Sequence, residues 1–184
     1  MKKTVIAVIL IIAIIVLPVT VTYNQLVSLR EQVDLSWSQI ETQMQRRADL
    51  IPNLVNTVKG YAKHEKEIFE YVADARAKLA GARTRSEQIM ANRELDMALS
   101  RLLAIAENYP QLKADQTFIR LMDELAGTEN RIAVARIRYN EAVRNYNVAI
   151  KRFPTNLIAK LFGFEEQPYF EAETGKKEVP KVKF

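Results

Sequence analysis

The chain of 184 residues contains no cysteine, one histidine, one tryptophan, five glycines and six prolines. Without cysteine there can be no disulfide, thiolate zinc site or cysteine nucleophile, so redox compartment leaves no mark on the sequence. Scarce glycine and proline disfavour the many turns of a sandwich or barrel, and the Ala-, Leu-, Glu- and Arg-rich remainder favours helix. The isolated Gly60, Gly81, Gly127, Gly163 and Gly175 build no phosphate-cradling loop. His64 stands in HEKEI, where a helical zinc protease needs a second histidine at the position of Ile68, and Tyr61 stands where a bundle di-iron site needs glutamate. A serine triad would have to use the same histidine, and every serine falls in an expected helix or its cap. No catalytic residue, metal ligand or cofactor site is assigned, and the expected class is not an enzyme.

One long apolar run is present. Between Lys3 and Arg30 there is no charge, and Val5–Val21 (VIAVILIIAIIVLPVTV) is long enough to cross a hydrocarbon core of roughly 30 Å. A cleaved signal peptide is the competing reading; no small-x-small site follows Pro18, where the sequence runs VTVTYNQ, so a retained single-pass anchor is expected. Pro18 is expected to kink the helix. Lys2 and Lys3 against Arg30 place the N-terminus in the cytoplasm and the rest of the chain outside a bacterial plasma membrane. The expected organisation is an anchor over 1–22, a helical bundle over 23–153, and a short amphipathic helix with an extended tail over 154–184.

From Phe118 the sequence sets Leu121, Leu125, Thr128, Ile132, Ala135, Tyr139, Ala142, Tyr146, Ala149 and Phe153 at alternating steps of three and four. That heptad seam predicts one helix over about 112–152, roughly 60 Å long. A second seam, Leu26, Leu29, Val33, Trp37, Ile40, Met44, Ile51, Leu54, Val58 and Tyr61, predicts a partner helix, with a bend or break near Ala48–Pro52 and Asp49 as cap of a restarted segment. Shorter helices are expected over 63–81, ending at Gly81, and over 87–108, with Ala82–Ser86 as the turn between them. The fold class is therefore all-α: an antiparallel, up-down bundle of about four helices following one transmembrane helix.

Two polar features border the long seam. Arg131, Arg138, Asn145 and Arg152 recur every seven residues, either as a stripe that reads an acidic flank on a neighbour or as a solvated face. In YNEAVRNYN, Tyr139, Asn140, Tyr146 and Asn147 share a stripe. One reading has the tyrosines filling the seam while the asparagines bond to backbone or to Asn24; the other is a recognition strip for a peptide or glycan. Arg46, Arg47 and Asp49 are expected to form ion pairs at the bend. After Pro154, Leu157, Ile158, Leu161 and Phe162 follow the helical period, and an antiparallel return brings them near the bilayer. Leu157, Leu161, Phe162 and Phe164 then either enter the membrane interface or close the bundle core near Tyr23 and Leu26.

The strings YNQLVSLREQVDLSWSQIETQMQRRADLIPNLVNTVKGYAKHE, AENYPQLKADQTF and GTENRIAVARIRYNEAVRNYNVAIKRFPTNLIAKLFGF, with PYF and a terminal KVKF, resemble the LemA family of bacterial membrane proteins. The likeness spans nearly all of the chain after the apolar run, and only about 78–93 departs from it. It implies a single-pass membrane protein with a helical-bundle domain and carries no catalytic residue. Related membrane proteins acting in magnetosome formation imply a role in organising membranes or assemblies. The expected function is a membrane-anchored interaction or scaffolding protein of the bacterial envelope, its partners the lipid bilayer, other envelope proteins and a second copy of itself. Two alternatives stand beside it: an enzyme of envelope polymers using Glu65, Glu107 or Glu129, and a binder of anionic lipid or nucleic acid through the arginine stripe. Interleaved charges of both signs disfavour nucleic acid.

Overall fold

Every segment with helical periodicity is helix in the computed structural model, which describes residues 2–170 without the side chains of 2, 3, 5, 7–13 and 15. The elements are α1 (Lys2–Tyr61), α2 (Lys66–Gly81), α3 (Arg85–Ala106), α4 (Pro110–Lys113), α5 (Gln116–Lys151) and α6 (Thr155–Leu161). Among the described residues α6 is the short helix expected after Pro154, and α4 is the one addition to the expected set. The expected anchor falls on Val5–Val21, most of whose side chains lie outside the described residues; among the described residues no helix is long and apolar enough to cross a membrane.

The largest departure from the sequence reading is α1. It runs unbroken through Pro18 and Pro52 for 60 residues, roughly 90 Å, so the boundary drawn after residue 22 falls inside one helix. Proline at position 52 removes the N–H that would bond the carbonyl of Ala48. Arg76 of α2 supplies the replacement, its Nε donating to Ala48 O at 2.8 Å. Asp49 consequently caps nothing and accepts from Gln45 Nε2 at 2.9 Å.

The other boundaries follow local hydrogen bonds. Thr84 and Glu87 form a reciprocal capping box, which starts α3 at Arg85 and shortens the expected turn. Asp115 starts α5 later than the seam suggested, accepting from Thr117 N at 2.7 Å and Phe118 N at 2.9 Å. Those bonds to the ionised carboxylate, with a third from Tyr61 Oη at 2.8 Å, hold its pKa below the usual aspartate range. Pro110 opens α4 rather than only closing its predecessor.

Contacts along α1 and α5 fix their direction: Tyr61 meets Asp115, Arg47 meets Glu129, and Trp37 meets Tyr139. As the number falls in α1 it rises equally in α5, so the two are antiparallel. Lys78 with Glu94 and Arg101 with Tyr71 give α2 and α3 the same relation.

Two apolar clusters fill the bundle. One gathers Ile51, Leu54 and Val58 of α1, Phe69, Val72 and Ala75 of α2, Leu95, Leu99 and Leu102 of α3, and Leu112, Phe118 and Leu125. The other gathers Leu26, Val33, Trp37 and Ile40 with Tyr139, Val143, Tyr146 and Ile150, joined by Ala159 and Phe170 from the end of the chain. In the second half of α5 the buried row passes through Val143, Asn147 and Ile150, leaving Ala142 and Ala149 half-buried and Phe153 80 % exposed. A period of 3.6 residues drifts off a strict heptad, and the larger side chains take the seam.

Candidate functional site

The YNEAVRNYN strip of α5 holds the chain's own C-terminal segment. At Gly163 the backbone adopts φ +72, a conformation that favours glycine, and the chain turns out of α6 to run back along α5. Asn147 donates Nδ2–H to Gln167 O and accepts Gln167 N–H, both at 2.9 Å. Asn140 does the same with Phe170, at 2.9 and 2.8 Å. The spacing explains the fit: two helical turns advance about 10.5 Å, and three extended residues advance about 10 Å. Between the pairs, Tyr139 Oη donates to Pro168 O at 2.8 Å, and Pro168 has no N–H to satisfy.

The pairs grip backbone, and side chains add the rest. Phe170, 4 % exposed, lies 4.4 Å from the Arg136 guanidinium and 6.3 Å from the Trp37 ring. Trp37 in turn meets Tyr139 edge-on at 5.1 Å. Arg85, at the start of α3, pairs with Asp34, donates to Gln167 Oε1 at 2.8 Å and sits 5.6 Å from Trp37. Burial raises the pKa of Tyr139 and of Tyr146, which keeps both phenols neutral. Asn24, the alternative partner for the asparagines, is exposed.

Arg131, Arg138 and Arg152 are exposed. Arg131 and Arg138 border a shallow groove with the neutral side chains of Gln39, Thr42 and Gln43 of α1. Arg47 makes the ion pairs between helices instead. It is 5 % exposed and binds Asp96 of α3 and, at 2.9 Å, Glu129 of α5, while Arg136 lies 3.9 and 4.0 Å from the same carboxylates. Asn92 Nδ2 donates to Asp96 at 3.2 Å. Burial raises the pKa of Asp96, and Arg47 opposes that rise. Of the expected trio at the bend, Arg46 reaches only to Glu124 at 3.9 Å, between exposed side chains. The omitted signal was positional: Arg47 completes the buried series Ile40, Met44, Ile51, Leu54, as Asn92 does before Leu95 and Leu99.

The three carboxylates of the enzyme reading occupy different settings. Glu129 is engaged by Arg47, Glu65 stands at the cap of α2, and Glu107 follows α3. Among the described residues no group of three or more His, Cys, Asp or Glu is arranged to hold a metal ion.

The α6 residues divide. Phe162 and Phe164 meet Tyr23 of α1 with ring centroids at 4.9 and 5.6 Å, and Ala159 and Phe164 pack on the core. Leu157 and Leu161 point away, 59 % and 75 % exposed.

The sequence model of the LemA family matches residues 36–184. The chain is 30 % identical over 175 residues to Magnetosome protein MamQ 2 of Paramagnetospirillum magneticum, an alignment covering 81 % of this chain and 64 % of the relative. It is likewise 30 % identical over 174 residues to Magnetosome protein MamQ of Magnetospirillum gryphiswaldense, covering 80 % and 64 %. Protein LemA of Metamycoplasma hominis is 23 % identical over 150 residues, covering 81 % and 68 %. The chain thus spans 64 % of the length of the MamQ relatives it matches.

Proposed function

This chain belongs to the LemA family, and on that premise we propose that it is a membrane-anchored, non-catalytic helical scaffold of the bacterial envelope. The observation that carries the reading is the continuity of α1: the apolar run and the bundle's first seam share one rod from Lys2 to Tyr61. A helix held in the bilayer at one end then sets the position and tilt of the bundle at the other. The sequence from Val5 to Val21 is the spanning segment in this proposal, with Lys2 and Lys3 in the cytoplasm and the bundle outside. Two of the relatives are named for the magnetosome and none for a reaction, which suits a role in assembly. The carboxylate alternative gains nothing from Glu129, which is tied to Arg47. The lipid or nucleic-acid alternative would use exposed Arg131, Arg138 and Arg152, which we assign instead to contacts with envelope proteins or a second copy.

Topology and contact are both testable in the cysteine-free chain. Single cysteines replacing Ser28 and Ser100, both exposed, should label with a membrane-impermeant maleimide on intact cells. Labelling of either only after lysis rejects the orientation, and recovery of the full chain in the soluble fraction rejects the anchor. A photo-crosslinking residue at position 131 or 138 should yield discrete adducts in membranes; the absence of adducts from both positions rejects the stripe as a contact surface.

A further inference from the structure

We propose that α6, with Phe153 and the Tyr23 ring cluster, forms a collar that lies in the membrane interface, so that the bundle's base makes a second lipid contact beside the anchor helix. The inference rests on the anchor reading above and deepens it by naming what holds the bundle against the bilayer.

Three observations carry it. Position is the first: α5 returns antiparallel to α1, and α6 follows at the end where Phe162 and Phe164 touch Tyr23, two residues beyond the apolar run. Below that level Ile6, Ile14, Val16, Leu17 and Val21 of α1 are 52–71 % exposed. Patterning is the second. Leu157 and Leu161 of α6, 59 and 75 % exposed, fall at i and i+4, opposite a face that buries Ala159, and Phe153, just before the helix, is 80 % exposed. Water offers no compensation for so much apolar surface on so short a helix, and the amphipathic pattern suits a helix lying in an interface. Chemistry is the third: Tyr23 belongs to the aromatic type that gathers at membrane boundaries, and Arg152 and Lys160 flank the stripe on flexible stems.

Charge at this end is nearly balanced. Glu166 accepts from Lys151 at 2.7 Å, and Glu165 is also exposed. Apolar insertion therefore drives the contact, and a zwitterionic bilayer suffices for it.

Nitroxide labels on single cysteines replacing Ile14, Leu157, Leu161 and Arg131 test the collar in the full chain, reconstituted in phosphatidylcholine vesicles. Collision with lipid-soluble oxygen should exceed collision with a water-soluble nickel chelate at 14, 157 and 161, with the reverse at 131. Water-like accessibility at both 157 and 161 while 14 reads as lipid leaves the anchor standing and overturns the collar. Water-like accessibility at 14 overturns the anchor and the collar that rests on it. Spin–spin broadening at 157 and 161 that disappears on dilution with unlabelled chain also overturns the collar, because a second copy then covers the stripe. As a check independent of the labelled positions, a label at Phe153 should move from lipid-like to water-like accessibility in Leu157→Asp/Leu161→Asp with unchanged helicity; an unmoved label rejects the collar.

Discussion

The two ends of the bundle solve the same packing problem with different parts. At the end holding Ile51, Leu54, Leu95, Leu102 and Phe118, α1, α2, α3 and α5, with α4, surround an apolar core. At the end holding Leu26, Trp37, Tyr139 and Tyr146, α3 reaches only as far as Arg85, which pairs with Asp34 of α1. Beyond that level α1 and α5 have two unshielded apolar stripes, and a pair of helices cannot bury both by itself. The segment after α5 substitutes for the missing helices: residues 164–170 and α6 lie across the gap, fastened by Asn140 and Asn147. Between the ends sits the layer of Arg47, Asp96, Glu129 and Arg136. The difference teaches that a helix-rich protein can close a core with a non-helical segment when side-chain amides supply its hydrogen bonds.

The comparison is broken most severely where both long helices meet. Ile132, fully buried, should lose about 2–5 kcal/mol as Ile132→Ala through lost burial and a residual cavity, while exposed Arg138→Ala should stay within about 0.5 kcal/mol. Equal melting temperatures for the two variants would misplace the core. Next in size is Arg47→Ala, which leaves half-buried Asp96 near Glu129 with only the more distant Arg136 as a cationic partner; a loss of about 2–4 kcal/mol is expected, discounted because Glu129 is half exposed. A denaturation midpoint unchanged from the parent would mean that the ion layer holds nothing together.

Smaller effects sharpen the contrast. Asn140→Ala and Asn147→Ala each strip two bonds from the docked segment and should cost about 1–3 kcal/mol apiece. Limited proteolysis near 165–170 should quicken in both, and a cleavage pattern identical to the parent's would count against docking. The mildest test is acidity. The folded-state pKa of Asp115 lies below its unfolded value, so its contribution is present above the unfolded pKa and fades as pH falls through the folded one. Asp115→Asn should therefore flatten the acid limb of the stability curve, and an equally steep limb in the variant would remove Asp115 as its source.

Periodicity made the long helices legible, because one face repeats at 3.6 residues whatever the partner turns out to be. The seam at Leu26, Val33, Trp37 and Ile40 and that at Phe118, Leu125 and Ile132 are both buried as spaced. The break that Pro52 suggests is absent for a physical reason: the carbonyl it frees is satisfied by Arg76, a residue 28 positions from Ala48 and invisible to local rules. The capping box at Thr84 and Glu87 is legible in the local spacing Thr-x-x-Glu. Tyr139, Asn140, Tyr146 and Asn147 stood out as a polar stripe, yet no spacing rule specified that residues 167–170 would fill it, since an extended segment has no period against a helix. Arg47 forms ion pairs as its sequence suggests, but its burial was hidden by its charge, which sets an expectation of exposure that its place in the seam overrides.

The docked segment 164–170 replaces a helix at one end of the bundle and not at the other. Native-state hydrogen exchange of the full chain against the Asn140→Ala/Asn147→Ala double variant tests it directly. Protection should fall in α1 around residues 26–40 and in α5 around 139–150, with protection around 51–58 and 95–102 unchanged. A uniform fall along α1 and α5, or no fall at 26–40, would contradict it.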